Sequence, residues 1–335
     1  MIIDHAIKTE PPIELPELLA RLRRSQIIDH VAKGIYVEDE IREVGAWLAA
    51  YSANHMAVVS SICTELVNPV SFQQGNDLQA PTFIIYRDDR ITIRLVIWLP
   101  LQGRFDKAPF SYEEPHDHNF DFWTVNFFGS GYRTRLYEYA YDQVSGFNDE
   151  VVPLTCCGEA VLSPGKMMFY SRSKDVHIQY PPDDLSVSLN LIVQPEQAPR
   201  QYEFGLDTTQ QQGLVEARIK KGRLERYNVQ ESLFRGLMNF GNTKSRELVL
   251  QVAQHNHKEE LRAIAFDNLL EYAQRSLNDE YAQHIAALAA NDPSAYVKSK
   301  TAYRIRNSLM REPNSAAQIK ACDGNSIESI TGAIS

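Results

Sequence analysis

The apolar residues of this chain change their spacing twice, and this change constrains the fold more than any other feature. They recur at helical intervals in the first part, form short runs rich in β-branched residues in the middle, and return to helical intervals in the last third. The pattern predicts N-terminal helices over 1–80, a β region over 81–208, a helical region over 209–311 and a disordered tail over 312–335. The expected fold class is therefore α+β.

Two stretches of the middle region predict strands most clearly. Ile91–Leu99 is rich in β-branched residues, and Leu185–Val193 alternates between polar and apolar residues. Glycine and proline residues between them predict turns, which fall at Gly129–Gly131, Gly158, Pro164–Gly165 and Pro181–Pro182. Many short strands separated by such turns favour an antiparallel sandwich or barrel.

The last region contains a loose internal repeat. His257–Ala265 and Asp292–Ala302 begin about 35 residues apart and resemble a pair of HEAT-like helical hairpins. Two hairpins bury little surface by themselves. The helical region is therefore expected to pack on the barrel, on a second copy of the chain or on a protein partner.

Charge and composition exclude several classes of function. With 43 acidic and 34 basic residues the net charge is −9, which argues against a general nucleic-acid binder. No apolar run approaches the roughly 18 residues that span a bilayer, and the start of the chain lacks the apolar segment of a secretory signal. The four cysteines are too few for a disulfide scaffold in a chain of this length, and no CxxC spacing indicates a zinc site. The expected compartment is the cytoplasm.

The segment with the clearest chemistry is Pro115-His-Asp-His118. On a strand, His116 and His118 leave the same face, and two imidazoles on one face form part of a transition-metal site. His177, shortly before a strand, is the candidate third ligand, since the other six histidines fall in or beside helical parts or near the start. The alternative is that the first two are exposed loop histidines.

The spacing around these histidines resembles the first motif of the cupin superfamily, which runs HxH, three residues, Glu, six residues, Gly. The matching residues here are His116, His118, Phe122 and Gly129, and the second motif is matched by Gly158 and Pro164, with His177 further on. The resemblance covers about residues 81 to 205 and implies a cupin-type antiparallel β-barrel, a double-stranded β-helix. Phe122 replaces the metal-binding Glu, which leaves a neutral set of three histidines.

A three-histidine cupin is similar to cysteine dioxygenase and related thiol dioxygenases, which implies Fe(II), O2 and a small substrate. In that family a late strand reads Ser-x-His-x-Tyr, and the matching positions here are Ser188, Asn190 and Ile192. Where some members carry a cysteine that cross-links to the tyrosine, this chain has Trp123. Plain cysteine is therefore not the expected substrate.

Strand alternation supplies further candidates for the site. Ser186, Ser188 and Asn190 share one polar face, and Phe122, Thr124 and Asn126 keep the parity of the first two histidines. The predicted pocket-lining residues are Phe122, Thr124, Asn126 and Trp98, and the predicted catalytic residues are Arg94, Ser188, Asn190 and Tyr132.

Arg94 lies in an apolar strand and, if buried, needs an anion, so it is the candidate clamp for a substrate carboxylate. Its competitors are Arg87, Arg90, Arg133 and Arg135, and surface placement is the alternative for each.

Three further groups near the motifs have alternative interpretations. Asp121 has the opposite parity from the histidines, so it would ligate only through a bulge, and a hydrogen bond to an imidazole is the other role considered. Asp117 also alternates away from the two histidines. The tyrosines could act as acids or bases or simply pack; they are Tyr132, Tyr170 and Tyr180. Cys156 and Cys157 are expected to be small buried thiols or turn residues.

These residues predict a mononuclear non-haem Fe(II) oxygenase that acts on a small polar molecule carrying a carboxylate. Nitrogen ligands also suit Ni, Mn, Zn or Cu, so iron follows mainly from the resemblance. The alternatives are a regulatory cupin that binds a metal or a ligand without O2 chemistry, and a metal-dependent isomerase or epimerase. The expected partners are the substrate and O2, and the C-terminal helices could form a homodimer or bind another protein.

Overall fold

The chain divides into two compact units, residues 1–225 and 226–335, in the computed structural model. The structure describes residues 2–4, 7–8, 10–67, 82–101, 111–206, 213–221, 227–240 and 242–309. The β region extends beyond residue 208, because a strand over Leu214–Lys221 still pairs within a sheet. The tail expected over 312–335 lies outside the described residues.

The described N-terminal part contains four helices, α1 (Leu15–Arg24), α2 (Ile27–Ala32), α3 (Glu38–Ala53) and α4 (His55–Leu66). The helical spacing predicts helices here, and α4 follows the stretch where that spacing is clearest. Helix α1 has proline in its first turn, and its buried leucines lie three and four residues apart. The turn after α2 contains Gly34, whose φ of +78° favours glycine.

Eleven described strands form two sheets in which all pairs are antiparallel. The first sheet has the order β1-β7-β4-β9-β3-β2, with β1 (Ile2–Asp4), β2 (Thr82–Arg87), β3 (Ile91–Trp98), β4 (Asp121–Phe128), β7 (Met167–Tyr170) and β9 (Ser186–Val193). The second has the order β10-β11-β6-β5-β8, with β5 (Arg133–Glu138), β6 (Val151–Val161), β8 (Asp175–Gln179), β10 (Glu203–Gly205) and β11 (Leu214–Lys221).

The strands predicted over Ile91–Leu99 and Leu185–Val193 are confirmed as β3 and β9, which pair along their whole length. Gly131 lies in the predicted turn between β4 and β5, where a Cβ would come within 1.9 Å of the Leu162 carbonyl oxygen. The turn predicted at Gly158 is wrong. This glycine lies inside β6 with a φ of +99°, at a register shift against β5.

Three apolar clusters cover the faces of the sheets. One lies between the N-terminal helices and the outer face of the first sheet and contains Trp123 and Leu191. A second combines residues of both sheets, including Trp98, Phe122 and Leu136. A third covers the other face of the second sheet and contains Tyr139. The second cluster therefore marks the interior between the sheets.

The second unit contains five described helices: α5 (Asn228–Phe240), α6 (Thr243–His255), α7 (Glu259–Arg275), α8 (Asp279–Ala290) and α9 (Ala295–Leu309). Helix α7 packs against the other four and carries more of the described buried apolar residues than any of them. Arg262 in α7 makes two hydrogen bonds with Asp292 before α9, at 2.8 and 2.9 Å. This buried pair joins the two repeated stretches, His257–Ala265 and Asp292–Ala302. No helix among the described residues is long and apolar enough to cross a membrane.

Replacing Arg262 with Ala should lower the free energy of unfolding of the helical unit by about 3 kcal/mol, because Asp292 would remain buried without its partner. The matched control is Arg275→Ala, which removes an exposed pair with Glu271 and should change stability by less than about 1 kcal/mol. Urea unfolding of both full-length variants measures the difference. Equal losses would contradict a structural role for the buried pair.

Candidate metal centre

Three imidazoles converge at one end of the interior between the sheets. The Nε2 atom of His177 lies 3.0 Å from Nε2 of His118 and 3.1 Å from Nε2 of His116. One ligand atom from each residue lies within 4.8 Å of the others. His177 is fully buried, His116 is 9% exposed and His118 is partly exposed. The structure thus brings together the three histidines that the sequence singled out.

Backbone hydrogen bonds hold the histidines in place. His116 and His177 form an antiparallel bridge, with each backbone N–H donating to the other's carbonyl, at 3.2 and 3.0 Å. The carbonyl of His118 accepts a hydrogen bond from the backbone N–H of Ser173 at 3.0 Å. The sequence pattern predicts His116 and His118 on one strand, but β4 begins only at Asp121. Pairing across to β8, not a continuous strand, makes these side chains converge.

Asp117, between two of the histidines, anchors their loop on the opposite side. Its Oδ2 accepts a hydrogen bond from the Tyr139 hydroxyl and its Oδ1 accepts one from the backbone N–H of Tyr202, both at 2.6 Å. Burial raises the pKa of this carboxyl to about 7. As its parity predicts, Asp117 points away from the imidazoles and fixes the backbone that carries them.

The positions of the protons on the three rings favour a cation bound between them. The Nδ1 atom of His116 lies 2.8 Å from the Glu114 carbonyl oxygen, which can only accept, so a neutral His116 carries its proton on Nδ1 and a lone pair on Nε2. The Nε2 atom of His177 faces two Nε2 atoms and has one proton at most to donate. Lone pairs therefore meet at the centre, where a metal ion would accept them.

Electrostatics favour the neutral form of two of the rings, those of His118 and His177, as metal ligation requires. Burial is the main cause that lowers the pKa of both His118 and His177 well below the usual value, and the neighbouring imidazoles add to the shift. The Nδ1 atoms of these two residues have no hydrogen-bond partner among the described residues. Only His116 therefore has its outer nitrogen fixed by a hydrogen bond.

Arg94 lies close enough to this cluster to act on His118 electrostatically, and it has no anionic partner within the described parts of the chain. Its guanidinium carbon lies 5.8 Å from the centre of the Phe120 ring, and its Nε is buried without a hydrogen bond. Burial lowers the pKa of Arg94 to about 10, so it is still protonated near pH 7.

Three of the competing arginines instead have carboxylate partners. Arg133 and Arg135 pair with Glu159, at 3.1 and 2.7 Å, and Arg90 pairs with Asp29. Arg87 is exposed on β2. Arg94 is therefore the candidate best placed to bind an anion beside the imidazoles.

The predicted polar residues of the strands mostly bond to one another. Trp98 Nε1 donates to Ser188 Oγ at 3.0 Å, and Thr124 Oγ1 donates to Asn190 Oδ1 at 2.7 Å. The side-chain amide of Asn126 donates to the carbonyls of Gly129 and Leu162, at 3.3 and 3.1 Å. These contacts join neighbouring strands and turns, so they support a structural role for Ser188 and Asn190.

Tyr132 is buried beside this polar group. Its ring lies 4.6 Å from that of Trp98, and its hydroxyl interacts with Thr124 and Gln179. Burial raises its pKa to about 12. It therefore keeps its proton at neutral pH and can donate a hydrogen bond.

Asp121 does not reach the imidazoles. It is buried on the helix side of β4, where it accepts hydrogen bonds from the Tyr36 hydroxyl at 2.9 Å and from the backbone N–H of Arg172 at 2.8 Å. The Arg172 guanidinium also pairs with it and donates to the carbonyls of Val31 and Ala32. The strand is regular at this point, so its alternation aims Asp121 away from the site and no bulge brings it in.

Aromatic rings line the cluster. The ring of His118 lies 4.7 Å from Phe120 and 4.9 Å from Phe122, between ring centres. Phe122 stacks on Tyr170, whose ring lies 4.7 Å from that of His177. Phe122 is one of the predicted pocket-lining residues, whereas Phe120 is not. Phe120 could have been predicted, because it has the same even parity as His116 and His118.

No family model matches the chain, and no curated protein sequence matches it. Among solved structures it is similar to vicilin from tomato (Solanum lycopersicum), with 9% sequence identity and a TM-score of 0.20. The match covers 40% of this chain and 29% of the vicilin chain. A likeness this small decides neither fold nor activity, which therefore depend on the topology and the site geometry.

Replacing Asp117 with Ala should lower the free energy of unfolding by about 2–3 kcal/mol, because the Tyr139 hydroxyl and the Tyr202 N–H lose their acceptor. Asp117→Asn is the conservative control, since it resembles the protonated carboxyl and should stay near wild type at about pH 4, where both variants are compared. Thermal unfolding with a metal chelator present measures both.

The pH dependence follows from the raised pKa of Asp117. An unfolded chain ionises this group above its usual value of 3.8, whereas the folded chain ionises it only near 7. Wild type should therefore lose stability relative to Asp117→Asn as the pH rises from about 4 to 7. A parallel pH profile for the two proteins would contradict the buried environment of this carboxyl.

Proposed function

We propose that this chain is a metal-dependent oxygenase of the cupin type, in which His116, His118 and His177 hold Fe(II). The donor set supports a mononuclear transition-metal site, because neutral imidazole nitrogens bind such ions well. The cupin assignment is supported by the motif spacing and by the two antiparallel sheets, with the imidazoles at one end of their interior.

The observation that carries the proposal is the excess of positive charge that this site would have. No carboxylate belongs to the described imidazole cluster, so the charge of a bound ion is not neutralised by its ligands. Arg94 adds a further positive charge and has no anionic partner among the described residues. Asp117 and Asp121 both face away, and the buried Asp175, two residues before His177, accepts a hydrogen bond from the backbone N–H of Ser171. A site of this charge favours a small anionic substrate, such as a carboxylate.

Each side chain has a separate role in this proposal. Arg94 binds the substrate carboxylate, and the rings of Phe120 and Phe122 keep bulk water from the reacting group. The partial exposure of His118 marks the side from which a solute enters. Tyr132 holds its proton and donates a hydrogen bond into the interior. When bound, Fe(II) supplies the redox chemistry that O2 requires.

The same contacts support the expectation that cysteine is not the substrate. Asn190 occupies the position of the family's histidine and is already bonded to Thr124. Ile192 occupies the position of the tyrosine and is buried in the apolar interior cluster. The site therefore lacks the hydroxyl and the imidazole that thiol dioxygenases carry at these positions.

Alanine at His116, His118 or His177 should each reduce bound iron at least tenfold in protein purified without O2, because three ligands leave no redundancy. His255→Ala is the matched control, since this exposed histidine lies in the helical unit and should leave the iron content unchanged. Elemental analysis of the purified variants measures the effect. Full iron retention in the His177 variant would contradict the proposed ligand set.

O2 consumption by iron-loaded protein should occur with one or more small carboxylates and not with cysteine. Arg94→Gln should raise KM for the carboxylate about tenfold to a hundredfold, since a charge-assisted hydrogen bond contributes about 1.5–3 kcal/mol. An oxygen electrode measures both. Sulfinate formation from cysteine at ordinary enzyme rates would restore the thiol dioxygenase assignment. Substrate turnover without O2 would indicate an isomerase, and iron without turnover a regulatory module.

A further inference from the structure

The two adjacent cysteines of β6 lie at an irregularity of the second sheet. Along β5 and β6, Leu136 pairs with Gly158 and Tyr137 pairs with Cys156, so Cys157 has no opposite residue. The extra residue is a β-bulge, and the positive φ of Gly158 accompanies it. In place of the turn predicted at Gly158, the strand continues, and the bulge changes which side chains face each side of the sheet.

The register shows that both thiols lie on the same face of the sheet. Cys156 is opposite Tyr137 and packs against the cluster on the outer face of the second sheet. Glu159 pairs with Arg135, which has the same parity as Tyr137, so Glu159 also faces outward. By alternation Cys157 faces the side of Glu159. Without the bulge, adjacent cysteines would point to opposite faces.

Both cysteines are at least partly accessible to solvent. Cys157 is exposed and Cys156 is partly buried, and neither forms a disulfide. Burial and the Glu138 carboxylate raise the pKa of the Cys157 thiol, and the nearby Cys156 contributes to the rise.

Chain geometry disfavours a bond between the two sulfur atoms. Adjacent Cα atoms across a trans peptide are about 3.8 Å apart, whereas disulfides usually join Cα atoms about 4.4–6.8 Å apart. A single larger atom between the sulfur atoms avoids this strain. Thiolates select soft centres over hard ones.

We propose that Cys156 and Cys157 form a two-sulfur site for a soft, thiophilic centre, of the class of Cu(I) or trivalent arsenic. Binding of Cu(I) forms two S–Cu bonds and releases two thiol protons to the buffer, with no change of oxidation state. With an organic arsenic oxide, two S–As bonds form, and the oxide oxygen leaves as water with the two thiol protons.

This site is separate from the proposed metal centre. His177 shares the parity of Gln179 in β8 and faces the interior, whereas the two cysteines face outward from the same sheet. Failure of either proposal therefore leaves the other intact. A test of the dithiol needs no turnover and no iron.

The first arm of the test uses phenylarsine oxide on the reduced full-length chain, read by intact mass. The background is Cys63→Ser with Cys322→Ser, which leaves only the adjacent pair. We expect one adduct that survives excess 2-mercaptoethanol and is removed by a dithiol. Adding Cys156→Ser or Cys157→Ser should abolish the stable adduct. A stable adduct that persists in either single-thiol variant, or no adduct on the background protein, would overturn the proposal.

The second arm distinguishes the two kinds of centre. Anaerobic competition for Cu(I) against bathocuproine disulfonate should show at least a hundredfold weaker binding in the single-thiol variants, and X-ray absorption should show two sulfur ligands on copper. His118→Ala should leave this binding unchanged, which excludes copper held at the imidazoles. A stable arsenical adduct with no such copper difference assigns the site to trivalent arsenic.

Discussion

The backbone bridge between His116 and His177 is the interaction on which the rest of the candidate site depends. Its two hydrogen bonds join the loop before β4 to strand β8, which are 61 residues apart in the chain. Asp117 fixes the other side of the same loop through Tyr139 and Tyr202. Each histidine therefore owes its position to contacts made by the backbone beside it, which is how three neutral rings can be held with their lone pairs facing one another.

Side chains alternate along β4, so residues near the candidate metal site lie on one face and a buried ion pair lies on the other. On the interior side, Phe122 and Thr124 face the imidazoles and the polar residues of β9. On the helix side, Asp121 and Arg172 form a buried ion pair that also binds the end of α2. Asp117 and Asp121 thus support the structure around the histidines, and Arg94 has no anionic partner among the described residues of the interior. This division is the physical basis for proposing an anionic substrate.

Much of this arrangement could be predicted from periodicity. The β-branched run of β3, the alternation of β9 and the HxH spacing each depend on residues close together in sequence, and the structure has the two strands and the three-histidine cluster. Parity also placed Asp117 on the side away from the imidazoles. The interpretation of Gly158 as a turn was wrong, because a glycine with positive φ serves a bulge as well as a turn, and only the pairing with β5 distinguishes them.

The sequence by itself determined the succession of helices, strands and helices, and the identity of the three histidines, because these follow from local spacing and residue chemistry. Only the tertiary structure decided that Asp121 pairs with Arg172, that Ser188 and Asn190 bond to Trp98 and Thr124, and that Phe120 lies between Arg94 and His118. Each of these contacts joins residues whose meeting depends on the register of strands or on the packing of helices against them. A hydrogen-bond partner cannot be inferred from spacing when several donors share one face, since the choice among them is made by distances of a few tenths of an ångström.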